Sequence, residues 1–322
     1  MTEDKKHYPV LAEETLELLM PADREAVCRV VDCTTGFGGH SSRVLARYPH
    51  AELLGIDRDT TALEYSAQRL AFAGERVHLI HGTFSGLKQH MESLEWEKAD
   101  AILMDIGVSS PQIDDPDRGF SFRNDGPLDM RMDRSRGVTA ADLLRDSSEE
   151  ELTRIFRDYG EIREARLLAK EVVRRRAESP VSTCAEFAAL CDKVLRKSGR
   201  RTGPPAPTLP FQALRIAVNG ELDELEQVLS DAVELLNDGG RLCVISFHSL
   251  EDRIVKQFFR EKSEGCTCPK EFPVCICGHK PELRIVTKKP VTASEKELNE
   301  NSRSACAKLR CAERINNNYN VA

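Results

Sequence analysis

The sequence predicts an α/β fold, a doubly wound and mostly parallel sheet with helices on both faces, and three observations predict it. Between residues 28 and 106 short apolar runs alternate with helical stretches: CRVVDCT then SSRVLARY, ELLGIDRD then TALEYSAQRLA, RVHLIHG then GLKQHMESL, and finally ADAILMDIG. Strands spaced by helices of this length make βαβ units, whose strands run parallel and are buried on both sides. A glycine-rich turn, DCTTGFGGHS at 32–41, follows the first apolar run directly. The first, second and fourth strands each end in a carboxylate, Asp32, Asp57 and Asp105. They share the edge where open α/β sheets bind ligands.

Each later stretch has its own pattern. After Asp105 the rhythm breaks into SSPQIDDPDRGFSFRNDGPLDMRMDRSRG, rich in Pro, Gly, Asp and Arg, and a long ordered loop of that kind is usually functional. Helical segments are expected around 139–177 and 183–197, followed by the proline-rich GPPAPTLP. Leu214, Val218, Leu222, Leu225, Leu229, Val233 and Leu236 then step by three or four, which predicts one long amphipathic helix running through Gly220 to Asp238-Gly239-Gly240. RLCVISF, ELRIVT and AKLRCAERI complete the sheet. The expected organisation is a sheet domain of residues 1–113 and 211–322, interrupted by a loop and helical insertion at 114–210.

With 322 residues, 40% of them hydrophobic, the chain can bury one large core or two modest ones. No apolar run is long enough to span a bilayer, and MTEDKKHYPV carries charge where a secretory signal needs an apolar stretch. A soluble cytoplasmic protein with no membrane partner is expected. The net charge of −7 argues against a whole-molecule grip on a polyanion, yet residues 154–201 hold thirteen Lys/Arg against seven Asp/Glu. Arg174, Arg175 and Arg176 form the densest cluster, which is either a solvated helical face or a phosphate-binding one. Among eleven cysteines, Cys266, Cys268, Cys275 and Cys277 read C-x-C-x6-C-x-C. Four thiols so close suit a structural zinc, with an exposed reduced loop and an iron-sulfur cluster as the other readings.

Three ligands compete for the glycine turn. A P-loop needs a lysine in G-x4-G-K-[ST], and none stands here. A nicotinamide dinucleotide site wants G-x-G-x-x-G, which the spacing of Gly36, Gly38 and Gly39 does not give. S-adenosylmethionine also uses a close glycine turn after strand one and a ribose-binding acid after strand two, but has no pyrophosphate to impose that spacing. The SFHSLED stretch offers Ser246, His248, Ser249 and Asp252 as pieces of a hydrolase triad, but no G-x-S-x-G elbow accompanies them.

HYPVL at 7–11, DCTTGFGGHS at 32–41, GIDRD at 55–59, DIGVSSPQID at 105–114, RGFSF at 118–122, GPLDMRMD at 126–133, YGE at 159–161, FQALRIAVNGEL at 211–222, SFHSLEDRIVK at 246–256 and SRSACAKLR at 302–310 resemble, in order, the small-subunit ribosomal RNA methyltransferase H family. The resemblance implies a class I methyltransferase-like fold with an inserted helical domain, and S-adenosylmethionine-dependent methylation of the exocyclic N4 of a cytidine in 16S rRNA of the small ribosomal subunit. It further implies that Gly38, Gly39 and His40 contact the cofactor, with Asp57 on the ribose, Phe84 along the adenine, and Asp105 and Gln112 closing the site. Many amino methyltransferases carry Asp/Asn-Pro-Pro-Tyr/Phe after strand four; this chain has DIGVSS, so Asp105 is the candidate catalytic acceptor. Arg118, Arg123 and Arg131, with Phe120 and Phe122 and the three-arginine cluster, are the candidate RNA contacts. The chain departs from the family at PAPTLP, where Leu209 and Pro210 replace an arginine and a threonine. That change motivates a second reading, a non-catalytic RNA-binding assembly factor that keeps the fold. A monomer and a homodimer both remain open.

Overall fold

The computed structural model describes residues 9–20, 28–195, 204–265, 268, 276, 277 and 279–316. In chain order the elements are α1 (Ala12–Leu19), β1 (Cys28–Asp32), α2 (Gly39–Arg47), β2 (Ala51–Asp57), α3 (Thr60–Leu70), β3 (Val77–His81), α4 (Leu87–Ser93), β4 (Ala99–Asp105), α5 (Ser110–Asp114), α6 (Ala140–Asp146), α7 (Glu149–Asp158), α8 (Ala165–Glu178), α9 (Cys184–Leu195), α10 (Thr208–Asn219), α11 (Glu221–Leu235), β5 (Leu236–Ser246), α12 (Ser249–Ser263), β6 (Leu283–Ile285), α13 (Glu295–Glu300) and β7 (Lys308–Arg314). They form two compact units, Met1–Gly107 with Asp223–Ala322, and Val108–Leu222. No helix among the described residues is long and apolar enough to cross a membrane.

The first unit is built on one seven-stranded sheet in the order β3-β2-β1-β4-β5-β7-β6. Strands β1 to β5 pair in parallel, and β7 runs antiparallel to both β5 and β6. Successive residues of a strand point to opposite faces, and here both faces are covered. Val31, Leu54, Ile56, Ile102 and Met104 join one core layer with Leu87, Met91, Leu225, Val228 and Phe259. Their neighbours Val30, Leu53, Ala101 and Leu103 join the other, with Leu16, Leu19, Val44 and Leu45. This double burial is why the strands read as continuous apolar runs rather than as alternation.

The second unit has its own core, made by Leu144, Leu152, Ile155, Phe156, Leu168, Val172, Phe187, Phe211 and Leu214. Phe187 lies between Phe156, 6.2 Å away by ring centroids, and Phe211 at 5.3 Å. Because α10 supplies Phe211, Ala213 and Leu214 to that core, the helical unit takes in residues beyond the expected 114–210. The single helix expected over 214–236 is two helices. Gly220 adopts φ 62°, ψ 31°, the left-handed conformation that caps α10 and that only glycine reaches without cost, and α11 starts at the next residue. In the divergent PAPTLP stretch Pro207 is the N-cap of α10 and Pro210 its third residue. A first-turn amide has no carbonyl to bond within a helix, so this proline breaks no hydrogen bond. Pro210 is buried, and Leu209 packs against the core.

Candidate cofactor site

The chain order reverses direction across the sheet between β1 and β4, and the crevice at their carboxyl ends is where such a sheet opens to a ligand. The loop after β1 is tied to β4 there: the Cys33 amide donates to the Leu103 carbonyl at 2.9 Å, and the Asp105 amide donates to Thr34 Oγ1 at 2.6 Å. Asp32 is buried at the base, accepting from Ser41 Oγ at 2.6 Å and from the Thr34 amide at 3.2 Å. Burial raises its carboxyl above the ordinary range, and the Ser41 hydrogen bond partly opposes that.

The glycine turn forms next to Asp57. Gly36 donates its amide to Asp57 Oδ2 at 2.7 Å, while the Asp59 amide donates to Oδ1 at 2.8 Å. Burial, outweighing these two bonds, pushes the Asp57 carboxyl up to about 6. Gly38 is the N-cap of α2, at φ 72°, and a Cβ there would meet Ser66 Cβ at 3.2 Å. Gly38 donates its own amide to the Thr35 carbonyl at 2.8 Å. The first-turn amides of α2 belong to Gly39, His40 and Ser41. A helix provides no carbonyl for such amides, which makes its start a ready anion site.

His40 is buried, with Nε2 3.5 Å from Asp105 Oδ2. That approach is at the limit of hydrogen bonding, and among the described residues neither His40 Nε2 nor the buried Asp105 Oδ1 has a hydrogen-bond partner. Two orphaned polar atoms at one rim are what a site built for a polar ligand leaves behind when the ligand is absent. Phe84 is also buried, on a turn after β3, with the Arg58 guanidinium 5.4 Å from its ring centroid. Arg58 in turn pairs with Glu224 of α11. Gly38, Gly39, His40, Asp57, Phe84 and Asp105 thus all belong to the sheet unit. Sequence reasoning missed Thr34, Ser41, Arg58 and Glu224; the one available signal was an arginine directly after the strand-two acid.

Gln112 belongs to the helical unit, where its Oε1 accepts from the Ser109 amide at 3.0 Å in a capping box that starts α5. The arginines there are mostly engaged. Arg118 is buried and donates to the carbonyls of Arg131 at 3.2 Å and Met132 at 2.9 Å, so in this conformation it clamps its own loop instead of offering itself to a phosphate. Asn219 helps, accepting from the Met132 amide and donating to the Met130 carbonyl, and Met130 is held at φ 62°. Arg131 makes a two-pronged pair with Asp129 at 2.8 and 3.0 Å. Arg174 bonds Glu171 and Glu178, Arg175 bonds the Ser179 carbonyl, and Arg176 bonds the carbonyls of Leu144 and Ser147. Arg123 is exposed.

Cys266 and Cys275 lie outside the described residues. Cys268 Sγ accepts from the Ile276 amide and Cys277 Sγ from the His279 amide, both at 3.4 Å. The SFHSLED residues form no relay: Asp252 is taken by Arg310 at 2.7 Å and Lys308 at 3.0 Å, while His248 caps α12 in a box with Glu251.

The strand order with β7 alone reversed, a glycine turn after β1 and an acid after β2 define a class I methyltransferase fold. Residues 4–315 match the MraW methylase family, and the chain belongs to that family. It is 46% identical to "Ribosomal RNA small subunit methyltransferase H" of Carboxydothermus hydrogenoformans over 309 residues, covering 96% of this chain and 98% of that protein. The protein of the same name from Geobacter sp. strain M21 is 46% identical over 97% of this chain and 100% of its own. A solved rRNA methylase from Streptococcus thermophilus aligns over 98% of this chain and 99% of its own, at 12% identity and a TM-score of 0.40, too distant to carry any argument.

The Asp32 geometry gives a stability prediction. Ser41→Ala leaves a buried carboxylate oxygen without its hydroxyl, which costs about 2 kcal/mol. Asp32 titrates above its ordinary 3.8, so its contribution to stability is full below that pH and is lost as pH rises through the folded value. Removing a bond that lowers the pKa raises the folded value further, so the Ser41→Ala penalty should be larger at a pH above the folded value than at one below the ordinary 3.8. Urea unfolding at the two pH values checks this, and an equal penalty at both would count against it.

Proposed function

We propose that this protein transfers the methyl group of S-adenosylmethionine to the exocyclic N4 of a cytidine in 16S rRNA, acting on the small ribosomal subunit in the cytoplasm. The observation that carries the reading is the unpartnered Asp105 Oδ1 beside the unpartnered His40 Nε2 at the β1/β4 crevice, in a chain of a methylase family. The ribosomal RNA is inferred from the relatives, which are small-subunit ribosomal RNA methyltransferases. Bound here, S-adenosylmethionine supplies a methyl group activated by a sulfonium sulfur.

The rest is the work of the chain's own residues. Asp57 accepts from the ribose hydroxyls, the Gly39 and His40 amides at the start of α2 receive the methionine carboxylate, and Phe84 walls the adenine. The N4 lone pair of cytosine is delocalised into its ring. Asp105 accepts a hydrogen bond from the N4–H, which favours localisation of that pair as the new C–N bond forms and the S–C bond breaks. The proton leaves the methylated amine afterwards, so no strong base is required.

RNA is held by the helical unit, where Arg123 and Arg174 are among the exposed guanidiniums and Arg118, Arg131 and Arg176 hold the surface in shape. Zinc at Cys266, Cys268, Cys275 and Cys277 belongs to the same reading as a structural group. Amides donate to the Cys268 and Cys277 sulfurs, the contacts a sulfur ligand of a structural metal commonly receives. Metal analysis of the full chain should find about one zinc per molecule; a metal-free protein that keeps its activity and stability would remove the site.

The decisive test is transfer of labelled methyl to unmethylated small subunits, in parallel with free 16S rRNA, with nucleosides identified by mass spectrometry. N4-methylcytidine is expected, with Asp105→Asn lowering kcat by about a hundredfold and Arg123→Glu raising the KM for the subunit at unchanged kcat. Cofactor binding without transfer would instead establish the assembly-factor reading.

Cofactor affinity should also depend on pH. Asp57 carries a pKa of about 6 and accepts from the ribose hydroxyls far better as a carboxylate than as a neutral acid, so affinity falls as pH drops through that value. A loss of about tenfold between pH 7.5 and 5 follows from the ionised fraction. Calorimetric titration should show it, and Asp57→Asn should abolish the pH dependence along with most of the affinity.

A further inference from the structure

The Phe84 ring is carried on a short turn, Gly82-Thr83-Phe84-Ser85-Gly86, between β3 and α4. One side of that turn hangs from the sheet, the Gly82 amide donating to the Asp57 carbonyl at 2.9 Å. On the other side stands His90 of α4. Its Nε2 lies 3.2 Å from the Thr83 carbonyl; a carbonyl can only accept, so the ring carries its proton on Nε2 and donates. The imidazole also fills the space where two neighbouring side chains would begin. A Cβ on Gly82 would sit 2.6 Å from Nε2, and one on Gly86 would sit 2.8 Å from it. The two glycines bracketing Phe84 are therefore the imprint of one imidazole. The Thr83 and Ser85 hydroxyls, 2.8 Å apart, tighten the same turn.

We propose that His90 is a positioning residue for the adenine of the cofactor: its bond to Thr83 and its seat between Gly82 and Gly86 fix the turn and set the Phe84 ring for a purine. This rests on the reading of Phe84 as the adenine wall. His90 touches neither cofactor nor substrate, so its effect belongs to affinity and not to the chemical step.

The test is a double-mutant cycle on the full chain, with S-adenosylhomocysteine as the titrated probe and thermal unfolding confirming that each variant is folded. His90→Ala should weaken binding about tenfold while kcat at saturating S-adenosylmethionine stays within about twofold. His90→Gln, which restores a donor toward Thr83, should recover most of the affinity. Gly86→Ala, whose φ of −87° suits any residue, should push the imidazole off Thr83 and weaken binding to a similar degree. In the Gly86→Ala/His90→Ala double variant the losses should not add, because the clash is gone. Additive losses, or unchanged binding in His90→Ala while Phe84→Ala binds more weakly, would overturn the proposal. If Phe84→Ala itself binds normally, the adenine-wall reading fails, and the role of His90 falls with it.

Discussion

Three carboxylates held at one edge of a buried sheet are the constraint on which the rest of the sheet unit depends. Asp32, Asp57 and Asp105 end β1, β2 and β4, and the charge of Asp105 adds to the cost of ionising Asp32. Asp32 and Asp57 are solvated chiefly by amides and a hydroxyl, from Thr34, Gly36, Ser41 and Asp59, with the Arg58 charge a smaller help to Asp57. Dipoles solvate a carboxylate without cancelling its charge, so the rim keeps a negative field, and burial still leaves both groups titrating high. The DCTTGFGGHS turn has its shape for this reason. It must deliver a Gly36 amide to β2, a Thr34 hydroxyl to β4 and a Ser41 hydroxyl back to β1 within ten residues.

In the helical unit the equivalent problem is a loop without regular structure. The LDMRM segment satisfies its first residues through backbone partners and its last through side chains: Arg118 and Asn219 together bond the carbonyls of Met130, Arg131 and Met132 and the amide of Met132. Asn219 sits in the last turn of α10, so the break at Gly220 sets where its amide can reach. Charge that looks like a binding face in the sequence is here partly scaffold.

How much of this the sequence reveals follows from the range of each interaction. The sheet strands are legible because double burial writes itself as apolar runs, and the carboxylates because strand ends share an edge. The pairing of Arg174 with Glu171 and Glu178 was legible too, since three and four residues bring side chains together on a helix. The bonds of Arg176 to Leu144 and Ser147, and of Arg118 to Met132, are not, because their acceptors are carbonyls, identical at every residue. Gly220 illustrates the same limit. Apolar spacing continues across it unchanged, while its φ depends on a backbone angle that hydrophobic periodicity does not encode.

On the proposed reading, the negative rim also divides the labour between the two units. A field made by Asp32, Asp57 and Asp105 favours a cation and opposes phosphate, which suits a sulfonium cofactor and not the backbone of an RNA. On the proposed reading, RNA affinity has to come from the other unit, in a protein whose net charge is −7. Among the described residues most arginines there already hold a carboxylate or a carbonyl, so on this reading each exposed guanidinium matters more. On that reading, an acidic protein gains little from binding RNA indiscriminately, and selectivity has to come from shape more than from charge.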